Sequence, residues 1–159
     1  MAVIPLPDFK QKMVQIGYLA RTANLLGIAT PKIACIAPSE QLLPNVISST
    51  EGALLAKMAD RGQLGNVVVD GPLSLDVALY KEVAEHKKVK GSSVAGDPDC
   101  LLFPNLESAN VFFKSVSHLC GGELAAMVMG TKVPCVLTSR GDTSKTKLFS
   151  IALACLAAK

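Results

Sequence analysis

The sequence predicts an α/β protein in which helices flank a largely parallel, or mixed, sheet. Short apolar runs alternate with longer segments of helical period along the whole chain, the pattern of recurring strand-helix pairs. Half of the 159 residues are hydrophobic, only 18% are charged and 4% are aromatic. Val, Ile, Leu, Ala and Met must therefore fill the core, as they do around parallel strands buried on both faces. No internal repeat and no low-complexity linker interrupts the alternation.

The first helix is read from Asp8 to Leu26, because Phe9, Met13, Ile16, Leu19, Ala20, Ala23 and Leu26 recur at spacings of three and four. Gly27 stops it, and Lys32 to Ala37 follows as a strand. Ser49 or Thr50 can cap a second helix running from Gly52 to Asp60. A strand at Asn66 to Asp70 then ends in the turn Asp70-Gly71-Pro72. Leu75 to His86 reads as one helix, Ser92 to Ala95 as a short strand and Cys100 to Phe103 as a better one. Leu106 to Leu119 is helical, with Leu106, Ala109, Phe113, Val116 and Leu119 on its apolar face. Two further strands are expected at Leu124 to Met129 and Val133 to Thr138. The last helix, Thr143 to Ala158, is almost wholly apolar along Leu148, Ile151, Ala152, Cys155 and Leu156, and is expected to be buried.

The segment from Val133 to Ser144 carries the most chemistry. A short apolar run there ends in Thr138-Ser139-Arg140-Gly141-Asp142-Thr143-Ser144, which delivers a guanidinium and hydroxyls to a strand's carboxyl end, where open α/β sheets bind ligands. The planar fork of an arginine suits phosphate or acyl-phosphate oxygens, and N–H groups opening the next helix add donors. The segment reads as an anion site. The plainer alternative is an arginine bridging a helix end with a serine as its cap.

Composition excludes several other classes. A net charge of +3, spread over scattered lysines, does not describe a nucleic-acid surface. Neither the apolar start Met1-Ala2-Val3-Ile4 nor any later stretch is long enough, free of charge and proline, to span a membrane, and no signal peptide is recognised. A cytoplasmic location is expected. Five cysteines, Cys35, Cys100, Cys120, Cys135 and Cys155, lack disulfide or zinc spacing and read mostly as small core residues. His118 stands near Cys120, which alone does not make a catalytic pair. His86 and His118 both read as structural.

Ala59-Asp60-Arg61-Gly62-Gln63, Asp70 to Asp76, Asp97 to Asn110 and Leu137-Thr138-Ser139-Arg140, in this order and spacing, resemble the phosphate acetyltransferase and phosphate butyryltransferase family. The resemblance runs from about Asp8 to the carboxyl end and is nearer the butyryl or branched-chain branch. It implies a fold similar to that of the isocitrate and isopropylmalate dehydrogenases. It also implies reversible acyl transfer between CoA and inorganic phosphate, with acyl-CoA, CoA, phosphate and acyl phosphate as partners and no metal or organic cofactor. Members of the family are about twice as long, with two domains and a site in the cleft between them. The resemblance therefore makes residues 1–142 a second, cleft-forming domain and 143–159 a helix that returns to the first. That helix would leave an apolar patch on the isolated half, favouring a homo-oligomer such as a dimer. A noncatalytic fragment or binding module is the alternative to an enzyme.

Acyl transfer to phosphate passes through a tetrahedral oxyanion and handles a multiply charged phosphate, so it needs fixed positive charge and oriented donors. Arg140 and Ser139 are the candidates for binding phosphate or acyl-phosphate oxygens. Relatives of the acetyl branch place a carboxylate six residues after the arginine, where this chain has Thr146. Asp142 is the nearest carboxylate and is either a base for the CoA thiol or a helix cap. Ser144 at the start of the last helix joins the substrate-binding set. So does Asn110, although it stands in a segment where relatives commonly have Asp and Gly in place of Asn105 and Ala109. The resemblance also puts Asp70 and Asp76 beside the cleft, where either would orient a substrate-binding arginine. The structural alternative has Gly71 in an unusual backbone angle, Pro72 starting the next helix and the aspartate as cap.

Overall fold

The computed structural model describes residues 4–158, so Met1, Ala2 and Val3 of the apolar start lie outside the described residues. The chain divides into two compact units. One is Pro7–Pro104, and the other takes the amino-terminal tip and the described chain from Asn105 onward.

The Pro7–Pro104 unit begins with α1 (Phe9–Leu25), whose start is fixed by a capping box: the Asp8 carboxylate accepts from the Gln11 N–H, and the Gln11 side chain accepts from the Asp8 N–H. Strand β1 (Lys32–Ile36), helix α2 (Ile47–Asp60) and strand β2 (Val68–Leu73) form a strand-helix-strand unit with β1 and β2 parallel. Two short helices, α3 (Leu75–Leu79) and α4 (Lys81–His86), lead to β3 (Cys100–Leu102), which pairs parallel to β1 on its other side. The sheet order is β2-β1-β3. Side-chain alternation along β1 divides the core. Ile33 and Cys35 pack with Ile16 of α1 and Leu55 of α2 on one face, while Ala34 packs with Val77, Ala78 and Ala84 on the other. The sheet is covered on both faces, as the apolar runs predict.

The structure departs from the sequence pattern at several points, each for a local reason. Ser49 is not a cap: α2 starts earlier, at Ile47, and the fully buried Ser49 hydroxyl accepts from the Leu43 N–H (2.8 Å) and donates to the Gln41 carbonyl (3.0 Å). The preceding loop's polar groups outcompete the helix end for it. The helix expected over Leu75 to His86 breaks at Tyr80, which is extended at φ −122° and ψ 117°, and both halves then turn alanine and valine into the same core cluster. Ser92 to Ala95 is a turn, because the Ser92 hydroxyl accepts from the N–H groups of Val94 and Ala95.

Strand β2 does not stop at Asp70. It continues through a cis Gly71-Pro72 bond to Leu73, whose carbonyl accepts from the Ala37 N–H at 2.9 Å. Pro72 therefore lies inside the strand and Ser74 precedes α3. Gly71 is needed for closeness rather than for an unusual angle: a Cβ there would stand 2.6 Å from the Cys35 Cβ and 3.2 Å from the Cys35 carbonyl oxygen. Gly71→Ala is expected to cost about 1–3 kcal/mol through overpacking, read as a lowered midpoint in urea denaturation. Gly52→Ala, whose Cβ would meet the Pro72 Cα at 3.3 Å and the Cys35 Cβ at 3.4 Å, should cost less.

In the second unit, α5 (Leu106–His118) is capped by Asn105, whose side chain accepts from the Ser108 N–H at 2.9 Å, and α6 (Ser144–Ala157) is capped by Thr143, which accepts from the Thr146 N–H at 3.1 Å. The two strands expected between these helices do not form among the described residues. A single antiparallel bridge joins Val128 to Cys135. Gly130 at φ +94° reverses the chain and Pro134 has no N–H to give, so the pairing goes no further. Helix α6 is not buried as expected. It buries Thr146 and Ser150 and exposes Leu148, Ile151 and Leu156. The Ser150 hydroxyl explains the inversion, since it donates to the Thr146 carbonyl (2.7 Å) and accepts from the Ala126 N–H (2.9 Å), tying the arch of chain between α5 and α6 to the helix.

Candidate functional site

The site is built on the turn that precedes α6. The Asp142 N–H donates to the Ser139 carbonyl at 3.1 Å, and the Ser139 N–H donates to the Asp142 carboxylate at 2.7 Å. These reciprocal bonds fold Ser139 to Asp142 tightly and lift Arg140 to the surface, where the chain is exposed. Among the described residues nothing forms an ion pair with Arg140. The Asp142 side chain is only 6% exposed, and its other oxygen lies 3.9 Å from the Lys114 ammonium. One carboxylate oxygen thus holds the turn while the other faces Lys114, and the cap of α6 is Thr143 rather than Asp142. Ser144 is the first, exposed residue of α6, where first-turn N–H groups lack intrahelical acceptors.

A cavity of about 200 Å³ adjoins this turn. Leu106, Ala109, Phe113, Ala126 and Leu137 give it apolar walls, and Asn110, Lys114, Ser139 and Asp142 supply the polar part of its lining. Three of the candidates from sequence, Asn110, Ser139 and Asp142, therefore share one cavity, with Arg140 on the turn between the last two. Lys114 was missed by sequence reasoning. Its signal is its place four residues after Asn110, on the same side of α5. The ammonium also lies 5.3 Å from the Phe113 ring centroid.

Asp70 and Asp76 belong to the Pro7–Pro104 unit. Asp70 is half-buried on β2 opposite Ala34, and its carboxylate accepts from the Gly71 N–H at 2.8 Å. Asp76 opens α3 and is already engaged: Lys87 stands 3.0 Å from it and 3.5 Å from Glu40, which in turn accepts from the Ser74 hydroxyl. The Ser74 hydroxyl first, then the Lys87 ammonium, hold the Asp76 carboxyl down at about 2. A depressed native pKa contributes stability that is present above the unfolded value, near 4, and lost as pH falls toward 2. Asp76→Asn is accordingly expected to flatten the fall in melting temperature between pH 5 and pH 2.5. An equal fall in both proteins would contradict that role.

The cysteines are less buried than expected. Only Cys35 is buried, Cys100 is half-buried, and Cys120, Cys135 and Cys155 are exposed, because the arch forms no strand ladder and α6 leaves part of its apolar side open. Burial pushes the Cys35 thiol up to about 12 and the Cys100 thiol to about 11. The thiolate is the reactive form, so a thiol reagent at pH 8 should label three residues quickly in the native protein and the other two only on unfolding. Among the described residues no three His, Cys, Asp or Glu side chains group to hold a metal ion, and no helix is long and apolar enough to cross a membrane.

Fold and site together define a parallel α/β protein that carries an arginine-bearing turn at a helix start, beside a small, mostly apolar cavity. Such a turn is suited to a tetrahedral anion. The chain belongs to the family described as "Phosphate acetyl/butaryl transferase", which matches residues 1–155. It is 43% identical over 152 residues to the phosphate butyryltransferase of Clostridium acetobutylicum, covering 96% of this chain and 50% of that protein. It is 41% identical over 147 residues to the phosphate acetyltransferase of Thermotoga maritima, covering 92% and 50%. Among solved structures, that of a branched-chain phosphotransacylase from Enterococcus faecalis superposes with a TM-score of 0.89 at 30% identity, covering 99% of this chain and 56% of that one. The chain spans about half the length of the relatives it matches.

Proposed function

We propose that this chain carries the phosphate- and acyl-handling part of a phosphate acyltransferase, moving a short acetyl, butyryl or branched acyl group reversibly between CoA and inorganic phosphate. The observation behind this reading is the Ser139–Asp142 turn, which holds Arg140, without an ion-pair partner among the described residues, directly ahead of the α6 start and beside an apolar cavity. In the direction from acyl-CoA, a phosphate oxygen attacks the thioester carbonyl and a tetrahedral oxyanion forms. The C–S bond then breaks, and its electron pair leaves with the CoA thiolate. Arg140 holds the phosphate by its planar fork, the Ser139 hydroxyl donates to the same group, and the first-turn N–H and hydroxyl of Ser144 face the same charge. The Asn110 amide donates to an acyl or phosphate oxygen. Asp142 acts through the turn it holds and is a positioning residue, and Lys114 supports it.

Holding both substrates together lowers the entropic part of the barrier, and fixed donors stabilise the oxyanion without reorganising. No resident cofactor enters the scheme, in which CoA and phosphate are substrates. The relatives reported above are all named as transferases or transacylases, which favours turnover over a noncatalytic binding role. Free thiols, three of them exposed, suit a reducing compartment, the cytoplasm. The open Leu148, Ile151 and Leu156 on α6 suit a homo-oligomer, which sedimentation at rising concentration would register.

The test of the activity is thiol release from acetyl-, butyryl- and isobutyryl-CoA with and without inorganic phosphate. Release that rises with phosphate and saturates is expected, and release indifferent to phosphate would contradict the reading.

A further inference from the structure

The cavity beside the Ser139–Asp142 turn has a lining that phosphate binding does not explain. On one side, α5 presents Leu106, Ala109 and Phe113 at spacings of three and four, and on the other stand Ala126 and Leu137. A phosphate has no use for five apolar walls. The volume of about 200 Å³ leaves room for a hydrocarbon chain of a few carbons. Polarity is also arranged at one part of the lining, where Ser139 and Asp142 belong to the arginine turn and the Lys114 ammonium is drawn toward Asp142. An acyl phosphate or acyl thioester has the matching form, an apolar tail on a charged or polar head.

We infer that this cavity receives the hydrocarbon tail of the acyl group, and that Ala109 and Phe113 set the chain length accepted. The inference rests on the acyl transfer proposed above. Ala109 stands one turn from Leu106 on the α5 face, so any larger side chain there projects into the space a tail would fill. Phe113, one turn further, closes more of it. Each methylene buried in such a pocket is worth about fourfold in binding, and pockets discriminate single methylenes by about 10- to 200-fold. Butyryl-CoA should therefore exceed acetyl-CoA by about tenfold or more in kcat/KM.

Two readouts on the protein as it stands separate the possible failures. In methyl-labelled protein, butyryl-CoA is expected to shift the Ala109, Ala126 and Leu137 signals beyond what CoA alone does. In thiol release, Ala109→Leu should cut the butyryl-to-acetyl ratio at least tenfold, and Phe113→Ala should move the preference toward hexanoyl-CoA. Undisturbed methyl signals elsewhere report that each variant is folded. Identical shifts with CoA and butyryl-CoA, or a ratio indifferent to both variants, would overturn the cavity assignment while phosphate-dependent release kept the acyl-transfer reading. Acyl-dependent shifts confined to these methyls, without release from any acyl-CoA, would support the cavity and remove turnover by this chain.

Discussion

Arg140→Ala is expected to lower kcat/KM for phosphate-dependent thiol release by about 10²–10³-fold while leaving the melting temperature unchanged. The size follows from removing one charged donor aimed at a developing anion, which costs roughly 3–4 kcal/mol of transition-state stabilisation. The unchanged stability follows from the exposure of Arg140, since the turn is closed by Ser139 and Asp142 without it. Arg140→Lys is a sharper version of the same test. A lysine keeps the charge but loses the planar two-pronged geometry, so recovery of only part of the activity is expected. A stability loss as large as the activity loss would make Arg140 a structural residue.

The largest effect on folding is expected at Gly96. Its φ of +81° lies where L side chains are strained, and a Cβ built on it would stand 2.5 Å from the Lys81 Cα and 2.8 Å from the Lys81 nitrogen. Its N–H donates to the Ala78 carbonyl at 2.9 Å, which docks the turn against the break between α3 and α4. The turn cannot retreat from Lys81 without giving up that bond and uncovering Val94, which is fully buried. Left-handed backbone strain of about 1–2 kcal/mol adds to overpacking of about 1–3 kcal/mol. Gly96→Ala should thus lose about 2–5 kcal/mol, a large share of a typical stability of about 5–15 kcal/mol. Gly91→Ala is the matched control, because Gly91 shares a positive φ of +74° but meets nothing within 4 Å. Equal losses in thermal or urea denaturation for the two variants would show that contact with Lys81 contributes nothing.

What could be read from the sequence and what could not divides along the range of the interactions. Helices α1, α5 and α6 were legible because their apolar positions recur at the helical period, a local signal, although the caps, Asp8 and Thr143 among them, are set by the structure and not by that pattern. The sheet's core strands, Lys32–Ile36 and Cys100–Leu102, were legible as apolar runs between punctuating residues. The misreadings occur where a distant partner decides. Asp70-Gly71-Pro72 looks like a turn, yet pairing with β1 carries the strand on to Leu73. Leu124 to Met129 and Val133 to Thr138 have strand composition, but with Gly130 and Pro134 between and within them they find a single bridge.

The candidate site was partly legible in the same sense. The hydroxyls and guanidinium of Ser139-Arg140 stand out as a polar end to an apolar run. Asp142 folding back on the Ser139 N–H is a local event that composition alone does not show, and Lys114 comes to face it from α5, a partner distant in sequence. Lys12, one of the scattered lysines, is 5% exposed and paired with Glu51 of α2. No pattern in either helix alone shows that pairing. Asp76 has the reverse history, since a carboxylate beside a presumed cleft turns out to be tied to Ser74 and Lys87.

The most direct test of the central claim is to follow phosphorus-31 signals while the purified chain acts on butyryl-CoA and inorganic phosphate. An acyl-phosphate resonance is expected that grows in step with free CoA thiol, one equivalent for one, and is suppressed by Arg140→Ala. Thiol released without acyl phosphate would mean that water, not phosphate, is the acceptor, and would contradict the assignment of the Ser139–Asp142 turn to phosphate.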